Sequence, residues 1–256
     1  MLLLHGIGHS VSAWNHQVPA LIEAGFRAIA IDTPGFGRSQ APPPEWAEQE
    51  VADHLAAFLD SMGIDSAAIV GHSLGGAYAT LLTLLHPERV TRLVLAAPAI
   101  GTHLHAGLRV LGGLPLGRVP LLNPLLRPEL VRPIVRQAMN LTVHNPDRIT
   151  DADLDEVAEW VRDPVMRKTF LRVLTTGIGL EGVRPEMQLL SRLGAIRQPV
   201  LVLWGRHDRI LSIRNARDVL KRIRHAEYVI LENSGHQLTY EEPALFNRSV
   251  IDFLNA

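Results

Sequence analysis

Gly71-His72-Ser73-Leu74-Gly75 places a serine between small residues, in the pattern G-x-S-x-G. The strand-like run Ala67-Ala68-Ile69-Val70 precedes it, and a helical pattern runs on from Leu74 to about Leu85. A serine turned sharply between strand and helix sits in strained backbone geometry, which small flanking residues tolerate. The turn lifts its hydroxyl out of the sheet and aims the first amides of the helix at the same point. That is a nucleophile's position. A serine hydroxyl is nevertheless weak: it needs a base, and the base needs an orienting acid.

Twelve histidines compete for the role of base. In a parallel sheet, reactive groups collect beyond the carboxyl ends of the strands. His236 meets this condition in the loop Glu232-Asn233-Ser234-Gly235-His236, after the apolar run Glu227–Leu231. Asp208 meets it in Gly205-Arg206-His207-Asp208, after Val200–Trp204. The chain order Ser73, Asp208, His236 is that of a hydrolase built on such a sheet.

The elements that must hold these residues alternate along the chain. Strands are predicted at Leu2–Leu4, Arg27–Ile31, Ala67–Val70, Thr91–Leu95, Val200–Trp204 and Glu227–Leu231. Helices are predicted at Ser12–Ala24, Glu45–Met62, Leu74–His86, Ile213–Arg222 and Pro243–Leu254. This is the βα rhythm of a mostly parallel sheet flanked by helices. In the second helix Val51, Leu55, Phe58, Leu59 and Met62 recur at helical spacing and mark a buried face. Pro42-Pro43-Pro44 reads as a stiff surface loop.

The rhythm breaks between about Ala99 and Leu193, where glycine and proline punctuate leucine-rich stretches such as Leu111-Gly112-Gly113-Leu114-Pro115-Leu116-Gly117. Thr150 and Asp153 there form a helix cap ahead of Leu154, Val157, Ala158 and Val161, and a further helix is expected over Pro164–Leu174. A stretch of this length without a sheet strand reads as a helical insertion over one end of the sheet. Packing accounts for most of its leucines, with a minority lining a pocket. The division expected is a core of residues 1–98 and 194–256, with residues 99–193 as a mobile helical cap that selects substrate without carrying out chemistry.

Composition narrows the partners. The 256 residues are 47% hydrophobic and 20% charged, an ordinary globular balance with a sizeable core. A net charge of −1 offers no footprint for nucleic acid or an anionic membrane. With no cysteine there are no disulfides, thiol nucleophiles or cysteine-held metals. No apolar run is long enough to span a bilayer, and Met1-Leu2-Leu3-Leu4 is too short for a signal-peptide core. The expectation is a cytoplasmic enzyme with a small-molecule partner and no cofactor or metal.

Together His5-Gly6-Ile7-Gly8, Asp32-Thr33-Pro34-Gly35-Phe36-Gly37-Arg38-Ser39, Gly71-His72-Ser73-Leu74-Gly75-Gly76, Gly205-Arg206-His207-Asp208 and Gly235-His236 make the chain resemble the α/β-hydrolase fold family, nearly throughout apart from the insertion. The resemblance implies Ser73 as nucleophile, His236 as base and Asp208 as orienting carboxylate. It also implies an oxyanion hole built from the backbone amides of Ile7 and Leu74, with the insertion as the family's helical cap. Such enzymes usually carry a strand pair ahead of the oxyanion loop; here Met1 stands almost on that loop, so Arg27–Ile31 is expected as an exposed edge. Ser212, where many relatives have proline, implies a slightly less rigid loop after Asp208.

The remaining candidates take plainer roles. His72 is expected to point away from Ser73 into the packing beneath the turn. His5 is expected to support the oxyanion loop through hydrogen bonds, and His207 to be a loop residue. His9 either faces the pocket mouth or solvates a loop. His103, His105 and His144 lack metal-ligand spacing and read as surface residues. Asp32, beside Gly35 and Gly37, reads as fixing a turn and stands behind Asp208. Ala96-Ala97-Pro98 carries no acid at all.

These residues lead to a serine hydrolase cleaving carboxylic esters through an acyl-enzyme. Serine at the elbow argues against the dehalogenase and epoxide hydrolase chemistry that related families perform through a carboxylate. Two alternatives stay open. One is hydrolysis of a C–C bond in a diketone-type substrate, for which Arg109, Arg118, Arg127 or Arg132 could hold a substrate carboxylate. The other is a ligand receptor that keeps the triad but turns over slowly.

Overall fold

Strong local signals become a six-stranded parallel sheet in the computed structural model, which describes residues 1–40, 47–101, 103–106, 128–179, 182–183 and 189–256. Pro42-Pro43-Pro44, Arg109, Arg118, Arg127 and the run Leu111–Leu116 lie outside the described residues. The strands are β1 (Leu2–Leu4), β2 (Ile29–Ile31), β3 (Ala67–His72), β4 (Val90–Ala96), β5 (Ile178–Gly179), β6 (Gly182–Val183), β7 (Val200–Gly205) and β8 (Glu227–Leu231). The helices are α1 (Gln17–Glu23), α2 (Glu48–Ser61), α3 (Leu74–Leu85), α4 (Pro128–Thr142), α5 (Asp151–Arg162), α6 (Pro164–Gly177), α7 (Arg214–Arg222), α8 (Leu238–Glu241) and α9 (Pro243–Asn255).

The main sheet runs β2-β1-β3-β4-β7-β8, every pair parallel. Its register aligns Gly71 with Leu95 and Leu95 with Val202, so the ends of β3, β4 and β7 finish level on one side. Leu2–Leu4 and Val200–Trp204 are fully buried or nearly so, because a parallel sheet covered on both faces needs unbroken apolar strands. The order reverses between β1 and β3. Right-handed crossovers therefore put α1 on one face and α2 and α3 on the other. In agreement, α1 packs on α9 and α2 on α3. The crevice at such a reversal is where parallel sheets place ligands. Here it lies between the loop after β1 and the turn after β3.

Several boundaries depart from the sequence reading. The predicted helix Ser12–Ala24 is instead a 3-10 turn, Val11–Trp14, followed by α1. Asp32 Oδ1 accepts the Val11 N–H at 2.7 Å and Glu156 Oε1 accepts the Ser12 hydroxyl at 2.6 Å, and these distant partners hold the first turn off the helix path. The strand predicted from Arg27 starts at Ile29, and β2 forms an edge of the sheet among the described residues. The stretch expected to lack strands holds the short antiparallel hairpin β5–β6, outside the main sheet.

Between β4 and β7 the described helices have a small core of their own: Val131, Val135, Val143, Ile149, Leu154 and Ala158. Thr150 caps α5 as expected, its hydroxyl accepting the Asp153 N–H while Asp153 accepts the Thr150 N–H. The helix predicted over Pro164–Leu174 runs to Gly177. No described helix is long and apolar enough to cross a membrane.

Candidate active site

Ser73 stands at the junction of β3 and α3 with φ 53° and ψ −117°, a left-handed conformation that an L-residue adopts only under constraint. The constraint is visible. Ser73 N–H donates to Ala96 O at 3.0 Å, and Ala99 N–H donates to Ser73 O at 2.8 Å, so the end of β4 straps both sides of the turn. The flanking glycines are required by contact: a Cβ on Gly71 would lie 2.3 Å from Gly75 O, and one on Gly75 would lie 2.1 Å from Leu4 O. The G-x-S-x-G pattern is thus the space left by β1 and the opening turn of α3.

His236 and Asp208 come to this serine from the ends of β8 and β7. His236 Nε2 is 2.9 Å from Ser73 Oγ, and His236 Nδ1 is 2.8 Å from Asp208 Oδ2. Ser73, His236 and Asp208 are all buried, at 6%, 5% and 8% exposure. Asp208 Oδ1 also accepts the N–H groups of Ile210 and Leu211, at 2.8 and 2.9 Å. With its carboxylate facing only donors, Nδ1–H of His236 donates to Asp208 and leaves Nε2 to accept the serine hydroxyl. Such a relay can draw the proton from Ser73 as its oxygen attacks a carbonyl.

The Ile7 amide belongs to the loop after β1. That loop presses on the elbow, since a Cβ on Gly6 would come within 3.0 Å of Ser73 Cβ. Among the described residues no backbone acceptor takes the N–H of Ile7 or Leu74, which is what an oxyanion hole requires of its donors. His5 holds this loop: its Nδ1–H donates to Gly6 O at 2.8 Å, while Nε2 accepts the Thr33 N–H at 2.9 Å. Burial keeps its pKa below the usual histidine value.

The other candidates separate cleanly. Asp32 accepts the N–H groups of Val11 and Arg38 at 2.7 and 2.9 Å, and a Cβ on Gly37 would run into its carboxylate, so it fixes a turn. His72 does more than pack: its Nε2–H donates to the backbone carbonyl of His236 at 2.8 Å. Burial and the nearby His236 hold His72 neutral, well below the ordinary histidine range. His9 turns toward the site, where its Nε2 accepts the Gln237 side-chain N–H at 3.0 Å, and burial lowers its pKa to about 4. His144 is half-buried, and its ring stacks on that of the exposed His207 with centroids 3.9 Å apart. Arg132 is spent on exposed ion pairs with Asp151 and Asp155, each at 3.0 Å.

Two contributors carry no strong signal in the sequence. Trp160 of α5 lies over the loop after β1, where its ring would meet a Cβ on Gly8 at 3.0 Å. Glu241 ends α8 buried beneath the His236 loop. Among the described residues no three His, Asp or Glu side chains converge as a metal-ligand set.

The comparisons with known proteins agree with this fold. A family model described as alpha/beta hydrolase fold matches residues 1–243. The chain is 30% identical over 258 residues to a 2-hydroxy-6-oxononadienedioate/2-hydroxy-6-oxononatrienedioate hydrolase of Cupriavidus pinatubonensis, covering 99% of this chain and 86% of the relative. It is 29% identical over 262 residues to a 2-hydroxy-6-oxo-6-phenylhexa-2,4-dienoate hydrolase of Burkholderia cepacia, covering 99% and 87%. Among solved structures, the 2-hydroxy-6-oxo-6-phenylhexa-2,4-dienoate hydrolase of Rhodococcus sp. strain RHA1 superposes with a TM-score of 0.77 at 26% identity, covering 100% of this chain and 90% of that one.

Proposed function

The chain belongs to the alpha/beta hydrolase fold family, and from that premise we propose that it hydrolyses a carbon–carbon bond beside a ketone, in a substrate of the 2-hydroxy-6-oxo-dienoate class. That it is a hydrolase of this family follows from the match itself; the bond it cleaves is our inference. The observation that carries the chemistry is the buried Asp208–His236–Ser73 relay, at 2.8 and 2.9 Å. The substrate class draws its support from the names of relatives matched over 99% of this chain.

In this reading Ser73 is the nucleophile, His236 the base and Asp208 its orienting carboxylate. The substrate reacts as its diketone tautomer. Ser73 Oγ attacks the C6 carbonyl while His236 takes the hydroxyl proton, and the Ile7 and Leu74 amides hold the resulting oxyanion. Collapse breaks the C5–C6 bond, and its electron pair runs through the neighbouring double bond into the C2 ketone. His236 returns the proton to the departing dienolate. Water, deprotonated by His236, then frees the acid from Ser73.

Ester hydrolysis is the second reading, through the same relay. Arg132 favours it: this candidate for holding a substrate carboxylate is occupied by Asp151 and Asp155 instead. Steady-state kcat/KM on a vinylogous diketone and on short- and long-acyl p-nitrophenyl esters separates the readings. The C–C reading expects the diketone to be preferred by orders of magnitude. A preference for an ester would replace it with esterase activity, and slow turnover of every compound with tight binding would mark a receptor.

A further inference from the structure

The reaction above leaves one buried carboxylate without a task. Glu241 is 4% exposed, and burying a carboxylate is costly unless its oxygens are satisfied. They are satisfied by backbone alone. Its Oε1 accepts the N–H groups of His144 and Asn145 at 2.7 and 3.0 Å, and its Oε2 accepts the N–H of Gly235 at 2.7 Å. The first two amides follow α4, and the third immediately precedes His236. The contact is returned from the other side: Thr142 O accepts the N–H of His236 at 2.7 Å and of Gln237 at 3.2 Å. Nothing separates the two strands of chain, since a Cβ on Gly235 would lie 2.8 Å from atoms of Thr142, Val143 and His144. The stacked rings of His144 and His207 close the same junction beside Asp208.

We infer that Glu241 is a positioning residue: it fuses the end of α4 to the loop that carries His236, so that the insertion and the base hold one fixed relation to Ser73. This rests on the reading of His236 as the base. All three partners of the carboxylate donate, so a glutamine cannot replace it; the amide –NH2 would face a backbone N–H and break one side of the junction. Burial holds the Glu241 pKa above the usual carboxylate range, against the pull of the three N–H groups.

The test is the rate at which a fluorophosphonate probe labels Ser73, followed across pH, in wild type, Glu241→Gln and Glu241→Asp, with melting temperatures measured alongside. The probe reports the competence of Ser73 and His236 whatever the natural substrate is. The expected result is labelling slowed at least tenfold in both folded variants, with the pH midpoint displaced. Folded variants that label at the wild-type rate and midpoint, with only a lowered melting temperature, would overturn the proposal and leave Glu241 a purely structural group. Should Glu241→Gln fail to fold, Glu241→Asp decides alone, since its shorter side chain retracts from Gly235; labelling within twofold of wild type overturns the proposal. Wild-type protein that does not label at Ser73 overturns the underlying reading of the relay, and this inference with it.

Discussion

His72 and His236 are joined through the backbone: the Nε2–H of His72 donates to the carbonyl of His236 at 2.8 Å, with the two rings 5.0 Å apart. The residue beside the serine therefore holds the residue that the serine addresses. His72→Leu keeps bulk but leaves that buried carbonyl unpaired, which typically costs about 1–3 kcal/mol. Denaturant unfolding should show this loss, and kcat should fall while KM changes little. A stability loss with unchanged kcat would confine the bond to holding the fold.

Ser73→Ala and Ser73→Gly should both abolish turnover, but they should differ in stability. At φ 53° an alanine inherits the strain of the elbow, whereas glycine does not. Ser73→Gly should therefore be the more stable of the two, by on the order of 1 kcal/mol. Paired thermal melts measure the difference, and equal or reversed stabilities would contradict the strain seen at this turn.

Asp208 and Asp32 offer a direct contrast. Asp208→Asn removes the acceptor that sets the His236 tautomer and should lower kcat by roughly 10³–10⁴, with KM changed far less. Asp32→Asn loses one of two backbone contacts in a turn and should affect stability more than kcat. Kinetics showing Asp32→Asn to be the more damaging would reverse the assignment of the orienting acid.

Stability should decline in mild acid. His5, His9 and His72 all have folded pKa values below the ordinary 6.5, mainly through burial, and His9 sits at about 4. Below pH 6.5 the unfolded chain takes up protons that the folded chain refuses, so stability is complete above that pH and drains away as pH falls toward 4. Glu241 works in the opposite sense, because burial raises its pKa, but it is one group against three. Melting temperature measured from pH 7 to 4 should fall, and His9→Gln should flatten the descent. A descent unchanged by His9→Gln would mean that His9 takes up its proton in the folded state as readily as in the unfolded chain.

The serine elbow was legible because its rule is local: small residues where β1 and α3 crowd the turn. Asp208 and His236 were legible as neighbours of Ser73 because apolar runs mark β7 and β8 and the loops beyond their ends converge on the elbow. Glu241 was not legible because its partners His144 and Asn145 lie almost a hundred residues away, and the pair Glu241-Glu242 ahead of Pro243 reads as the ordinary acidic start of a helix. The delayed start of α1 has the same origin. Ser12 and Val11 obey Glu156 and Asp32, neither of which is a sequence neighbour. Stacking of His144 on His207 likewise needs two loops that only the finished fold brings together.

Gly71 and Gly75 give the elbow its shape through backbone contacts with Leu4 and within α3, and the hydroxyl of Ser73 is no part of that scaffold. Inheritance can treat the two separately. A descendant that exchanges the serine for another small residue loses the reaction yet keeps the turn, the amides and the crevice. Ancestry traced through such glycines follows an architecture, and a lineage can turn from consuming a compound to sensing it without redrawing the backbone.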